Sequence, residues 1–218
     1  MAGSIGIKVI SYISQNQNSY LISVREHVFI SLLAVSVAII IGIPAGYACD
    51  KYRKYEKWIA AAFQTLRIIP SLAVLILLIP VMGTGIKPAM TALVLLAVPA
   101  ILLNTAAGLR SVPYFMIETA YGVGMTDREV LWKVKFPLAL PAILTGVKTA
   151  MIEIIASATL AAKIGAGGIG GMIFTGLGLN RMDILLAGGI SVAALSISAG
   201  LAFEMLDRLM LKYNHLRK

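Results

Sequence analysis

Cysteine is all but missing from this sequence. Cys49 stands alone, so no internal disulfide forms, and with only His27 and His215 beside it there is no zinc constellation. Charge is also scarce: Asp, Glu, Lys and Arg make up 13% of 218 residues, against roughly 25% in an average soluble domain. Aromatic residues contribute only 7%. What fills the chain instead is apolar, 59% by the AVILMFWYC count, with 20 glycines on top. A soluble domain of ~200 residues hides only about 70% of the surface its unfolded chain exposes. The surplus must face something other than water, which excludes a disordered chain or a disulfide scaffold and argues against a soluble enzyme. The net charge of +9 would suggest nucleic acid in a soluble protein. In a membrane protein surplus Lys and Arg belong to cytoplasmic loops, and no nucleic-acid partner is expected.

Long charge-free runs give the skeleton. A bilayer core of ~30 Å takes about 20 apolar residues in helical form. Such runs predict spans near 28–48, 59–82, 88–109, 138–162 and 184–203, the second interrupted by Arg67 and the fourth by Lys148 and Glu153. Five spans place the termini on opposite sides. One side collects Lys51, Arg53, Lys54, Lys57, Arg110, Arg128, Lys133, Lys135, Arg208, Lys212, Arg217 and Lys218; the other holds Lys8, Arg25, Lys87, Lys163 and Arg181. Twelve against five predicts an external N-terminus and a cytoplasmic C-terminus in a multi-pass protein of the cell membrane. The domain reading is an external segment 1–26, a transmembrane domain 27–206 with a cytoplasmic loop 110–137, and a basic tail 207–218.

The first 26 residues lack the basic head, apolar core and small-residue site of a cleavable signal. Ile5, Val9 and Ile13 recur at helical spacing, which suggests an amphipathic helix on the outer leaflet; a floppy terminus is the alternative. Within the spans, Arg67, Lys148 and Glu153 each cost ~2.5–3.5 kcal/mol near the bilayer centre, so they should face the bundle interior or water. Lys148 and Glu153 lie about 140° apart around one helix and cannot pair on one face; a contact between Glu153 and Arg67 is the other arrangement. These charges either line a substrate path or pair helices structurally. Gly42 and Gly46 form a small-xxx-small stretch that allows another helix to approach, and Pro44 and Pro70 should bend their spans.

The loop at 110–137 is the long connection on the cytoplasmic side. Two short helices are expected, divided at Gly122 and Gly124. The first spans Pro113–Tyr121, with Ser111 as N-cap and Pro113 in its first turn. In the second, Thr126-Asp127-Arg128-Glu129 reads as a capping box, followed by Val130, Leu131 and Val134 on one face. Such an element either receives a soluble partner or packs as an elbow on the chain's own span ends.

Glu118-Thr119-Ala120, three residues, Gly124, nine residues, Val134-Lys135-Phe136-Pro137 resembles the EAA loop of binding-protein-dependent ABC importer permeases. Glu118, Ala120, Gly124 and Pro137 match that pattern; Thr119 replaces an Ala, and Val134 and Phe136 replace Ile and Leu. Ile69-Pro70-Ser71-Leu72-Ala73, Asn104-Thr105 and the stretch Ala158 to Gly170 are similar to the branch that imports glycine betaine, carnitine and choline. The likeness covers nearly all of the chain after residue 20. It implies an all-α type I importer permease that pairs with a second permease subunit, identical or homologous. Two ATPase subunits would sit below and an external binding protein would deliver substrate. ATP and Mg would be bound by the ATPases, with no cofactor in this chain.

On that resemblance the coupling loop is carried by Glu118, Thr119, Ala120, Tyr121, Gly122, Gly124 and Pro137. Glu118–Tyr121 supplies a lever, Gly124 a sharp turn, and Pro137 the start of the fourth span. Glu118 either orients the loop by accepting a hydrogen bond or is a solvated surface charge. Arg67, Pro70, Ser71, Asn104, Lys148 and Glu153 are candidates for the translocation path. Gly165, Gly167, Gly168 and Gly170 are candidates for an external turn that meets the binding protein. Their Gly-x-Gly-x-x-Gly spacing follows a membrane helix rather than a strand, so it does not read as a nucleotide site, and no Gly-x-x-x-x-Gly-Lys-Ser/Thr is present. Few aromatics sit in the spans, Phe29, Phe63 and Phe174 among them, so a quaternary-ammonium cage is expected in the binding protein.

Other functions remain open at this level. Methionine or another small amine is an alternative cargo. An ion-coupled carrier would need an in-membrane acid, for which Glu153 is the candidate. An intramembrane enzyme lacks a Ser–His dyad or metal cluster within the spans.

Overall fold

The computed structural model describes residues 2–52, 54 and 56–210, and every regular element among them is helical. In order these are α1 (Ala2–Gln15), α2 (Gln17–Lys51), α3 (Glu56–Ile68), α4 (Ser71–Met82), α5 (Ile86–Arg110) and α6 (Tyr114–Gly122). There follow α7 (Asp127–Glu129), a π-helical stretch (Val130–Lys135), α8 (Phe136–Ala161), a 3-10 turn (Ala162–Ile164), α9 (Gly170–Gly178) and α10 (Met182–Met210). Four of the described helices are long and apolar enough to cross a membrane, and α3 with α4 makes a fifth crossing if the bent pair is one span.

That bent pair covers the second span expected at 59–82, with the bend expected at Pro70. The axis turns by 95° between α3 and α4. Pro70 lacks an N–H and biases Ile69 away from helical dihedrals; its own ψ of 132° is extended. Pro44 does not act in the same way, because α2 runs through it as one helix. The expected boundary at residue 26 also falls inside α2. The fourth span is longer than its apolar run: a continuous helical path extends over Asp127–Ile164. At the far end α10 passes the expected tail boundary, and Arg208 pairs with Glu204 at 2.8 Å. Arg53, Lys212, Arg217 and Lys218 lie outside the described residues.

The core is made by α2, α5 and α8. Ala34, Ala38, Gly42 and Gly46, four residues apart, are all buried and place a flat seam on one side of α2. A Cβ on Gly46 would come within 2.6 Å of Thr105 Cβ and 2.7 Å of the Leu102 carbonyl, and one on Gly42 within 2.8 Å of Ile101. The approaching helix foreseen from this small-residue pattern is therefore α5. Lipid tails are as apolar as Leu, so close backbone packing rather than hydrophobic exclusion holds such helices together. On an adjoining face α5 meets α8, where a Cβ on Gly108 would lie 2.7 Å from Ala142 and one on Gly146 2.7 Å from Asn104. In contrast α10 exposes Ile190, Ile197, Leu201, Met205 and Leu209, which accounts for much of the apolar surplus.

The N-terminal stripe lies on a helix, α1, as one of the two readings expected. Val9 is buried and Ile13 half-buried, whereas Ile7 and Ile10 are exposed. The Ile5–Val9–Ile13 row thus turns partly inward, and α1 packs on α10. Arg181, just before α10, stacks its guanidinium 5.8 Å above the Tyr12 ring.

Candidate functional site

The 110–137 segment is a folded unit with defined ends. Ser111 does not cap the helix that follows it. It closes α5, its N–H donating to Ala107 (3.0 Å) and its hydroxyl to Gly108 (2.8 Å). The N-cap of α6 is Pro113. Only Ala120 of α6 is buried, while Tyr114, Phe115 and Tyr121, with Val123 just beyond, are exposed. An isolated nine-residue helix would not persist in water, so its ends matter.

At the C-terminal end, Gly124 takes φ +87°. The Gly124 N–H donates to Tyr121 O (2.9 Å) and the Met125 N–H to Ala120 O (3.1 Å). This 5→2 and 6→1 pair is a Schellman closure, which needs a left-handed residue and so favours glycine. Gly122 is simply the last helical residue. Thr119 donates its hydroxyl to Phe115 O at 2.7 Å. Glu118 is exposed, and among the described residues no hydrogen bond to its carboxylate is seen.

The capping box forms as its spacing implies. Thr126 Oγ1 accepts from the Glu129 N–H, and Glu129 Oε2 accepts from the Thr126 N–H at 3.1 Å. Lys133 Nζ donates to Glu129 at 2.8 Å. Across the turn the Tyr121 hydroxyl donates to Asp127 Oδ1 at 2.9 Å, and that bond pushes the phenol above its ordinary pKa. Val130 is buried, and Leu131 and Phe136 pack on Leu109, Ala139 and Ile143.

Pro137 lies in the first turn of α8, where the fourth span is expected to start, but a helical stretch already precedes it. The preceding six residues widen into a π turn, with the Phe136 N–H reaching Leu131 O, and the chain continues into α8 without interruption. A proline at 137 cannot donate to the carbonyl four residues back and its ring crowds that group, so the wider turn absorbs the misfit. Lys135, inside the motif, forms an ion pair with Asp50, whose carboxylate is 4% exposed. This pair bolts the segment to the end of α2. Nothing in the motif's spacing announces it, though an acid closing a charge-free run is a sign that a partner is near.

A second constellation lies at the α3–α4 elbow. Arg67 Nη2 donates to Glu153 Oε1 of α8 at 2.7 Å. Arg67, Pro70, Ser71 and Glu153 surround a cavity of about 340 Å³, together with Leu96 and Ser157. Two path candidates lie elsewhere. Asn104 donates to Ala100 O within α5 at 2.8 Å, and Lys148 reaches toward Gly200 of α10.

The glycine stretch folds inward. The Gly168 N–H donates to Glu26 Oε2 at 2.9 Å. A Cβ on Gly167 would sit 2.6 Å from the same oxygen, and one on Gly170 only 2.0 Å from Thr159 O. Gly165, at φ +83°, is exposed beside Gly85, whose N–H donates to Ile164 O at 2.7 Å. Next to Glu26, the buried His27 donates from Nε2 to Ile155 O at 3.0 Å. Phe63 lines an apolar cavity with Val37 and Met90, Phe174 lies 4.9 Å beneath Lys163, and Phe29 is exposed.

Residues 38–212 match the family described as the inner membrane component of binding-protein-dependent transport systems. The chain belongs to this family. It is 36% identical over 199 residues to the carnitine transport permease protein OpuCB of Listeria monocytogenes, covering 91% of each chain. It is 35% identical to the glycine betaine/carnitine/choline transport system permease protein OpuCB of Bacillus subtilis, covering 92% of this chain and 93% of that one. Among solved structures, an inward-facing form of the MetNI methionine ABC transporter superposes with a TM-score of 0.79 at 20% identity, over 87% of this chain and 95% of that one. The protein is thus a membrane permease component of an ABC importer, with the fold of that class.

Proposed function

We propose that this permease carries a small quaternary amine osmoprotectant, delivered by an external binding protein and driven by separate ATPase subunits. Identity near 35% to carnitine and glycine betaine permeases along nine-tenths of the chain supports the substrate class. Two permease subunits would form the path, with ATP and Mg on the ATPases. The N-terminus would be external and the C-terminus cytoplasmic, a reading that the distribution of Lys and Arg supports.

One observation carries the mechanism. The α6 helix hides a single residue and displays Tyr114, Phe115 and Tyr121, while its C-terminal end and the turn beyond are fixed by backbone and side-chain hydrogen bonds. That combination is a stiff lever with an unsatisfied apolar face. An ATPase groove closing on it would transmit force through α7 and the π turn into α8, and through Lys135–Asp50 into α2. Gly165 and the neighbouring turn remain the candidate contact for the binding protein, the exposed part being Gly165 itself.

The test is uptake of labelled glycine betaine, carnitine and choline by proteoliposomes holding permease, ATPase and binding protein. ATP-dependent uptake of at least one is expected, and Gly124→Asp should abolish it while membrane insertion persists. Uptake of methionine but none of these amines would refute the substrate class.

A further inference from the structure

Arg67 and Glu153 are a costly pair to keep inside an apolar span, and the structure does not seal them into the packing. Their side chains are 42% and 36% exposed, open to the elbow cavity of about 340 Å³, a size within the ordinary range for small-ligand sites. The two come from different helices, α3 and α8. Arg67 lies at the end of α3, where the span breaks by 95°. Ser71 and Ser157 bring hydroxyls to the same space. At the start of α4, Ala73 and Val74 both donate to Pro70 O, so the N–H groups left without a helical acceptor are those of Ser71 and Leu72.

We propose that Arg67 and Glu153 form an exchange site for zwitterions that bear a carboxylate and a quaternary ammonium. The reading rests on the importer assignment above and deepens it. Empty, the two side chains neutralise each other. When a zwitterion enters, its carboxylate takes the Arg67 guanidinium and its ammonium faces the Glu153 carboxylate, so the summed charge in the membrane is zero before, during and after passage. A guanidinium suits this exchange because it offers a planar fork to either carboxylate in turn. A monocation such as choline breaks the symmetry: it occupies Glu153 but leaves Arg67 without a counter-charge in a low-dielectric setting. The site therefore ranks glycine betaine and carnitine above choline, independently of the binding protein.

The test is equilibrium binding of labelled glycine betaine, carnitine and choline to the permease–ATPase complex in lipid nanodiscs without the binding protein. Wild type should bind the two zwitterions at least tenfold tighter than choline. R67Q should weaken zwitterion binding tenfold or more and leave choline binding equal or stronger, whereas E153Q should weaken all three. The apolar pair R67M/E153L guards against a merely structural role. It restores packing without charge, so a structural ion pair would leave binding intact, while the exchange site predicts loss of zwitterion binding in an assembled complex. No zwitterion preference in wild type, an unchanged preference in R67Q, or retained binding in R67M/E153L overturns the proposal. The importer reading fails separately, if wild-type complex with its binding protein shows no ATP-driven uptake of any of these amines.

Discussion

At the scale of single residues, Gly124 and the Asp50–Lys135 pair answer different physical demands. Gly124 meets no atom within 4 Å where a Cβ would be, so its constraint is the dihedral angle alone, φ +87°. Alanine there should cost about 1–2 kcal/mol of local strain, fraying the end of α6. The expected outcome is reduced coupling with unchanged thermal stability of the detergent-solubilised chain, measured as ATPase stimulation against melting temperature. Asp50 is a different case, because its carboxylate is almost fully enclosed with one cation. Asp50→Asn leaves Lys135 without its counter-charge and should destabilise by about 3–5 kcal/mol; the apolar double substitution D50L/K135M should recover most of that. Denaturation in detergent of the two variants checks it. Tyr121 gives a pH dependence. Its bond to Asp127 favours the protonated phenol, raising the folded pKa. The stabilisation is therefore complete below the unfolded value of about 10 and is lost as pH rises through the higher folded value. Ultraviolet titration of wild type against Y121F should show one phenol ionising above the ordinary tyrosine range.

Among the helices, legibility in the sequence followed how local each cause was. The charge-free runs located the apolar helices because bilayer thickness and helix rise act on any chain alike. The capping box at Thr126 was legible for the same reason: its four residues contain both donors and both acceptors. The Gly42–Gly46 seam was visible as a pattern, but not that α5 would fill it. Prolines show the limit most clearly. Pro44 and Pro70 look equivalent along the chain, each inside an apolar run, yet one is carried through by a helix and the other breaks its span by 95°. The choice depends on the neighbours packed around each turn, which no local reading contains. Ser111 was assigned to the wrong helix because a serine between two helices can close either. Gly167 and Gly168 take the left-handed dihedrals expected of a tight turn (φ +81° and +84°), but the close approach of Glu26 and His27 to them, and of Thr159 to Gly170, was not legible. At this scale the seam makes a firm prediction. Gly46→Val must push Thr105 and the Leu102 backbone apart, an overpacking cost of about 1–3 kcal/mol or more, and α2 should lose its tight contact with α5. Cross-linking of a cysteine pair placed across α2 and α5 should fall accordingly.

At the scale of the whole molecule, the described residues form an apolar frame that carries an exposed short helix, α6, and an Arg67–Glu153 pair at the α3–α4 elbow. The orientation can be read with one label. Cys49 is buried, so C49S gives a background in which a cysteine at Val123, exposed beside α6, is the reactive thiol. In intact cells a membrane-impermeant maleimide should leave it unlabelled and inside-out vesicles should expose it; labelling from outside would reverse the assigned topology. The larger claim is that this chain moves cargo only when a separate engine works the α6 lever. The direct measurement compares proteoliposomes containing the chain alone with those containing chain, ATPase and binding protein, each supplied with ATP or with a proton or sodium gradient. Uptake of glycine betaine, carnitine or choline only in the complete system, and only with ATP, is the predicted result. Uptake by the chain alone on an ion gradient would contradict it.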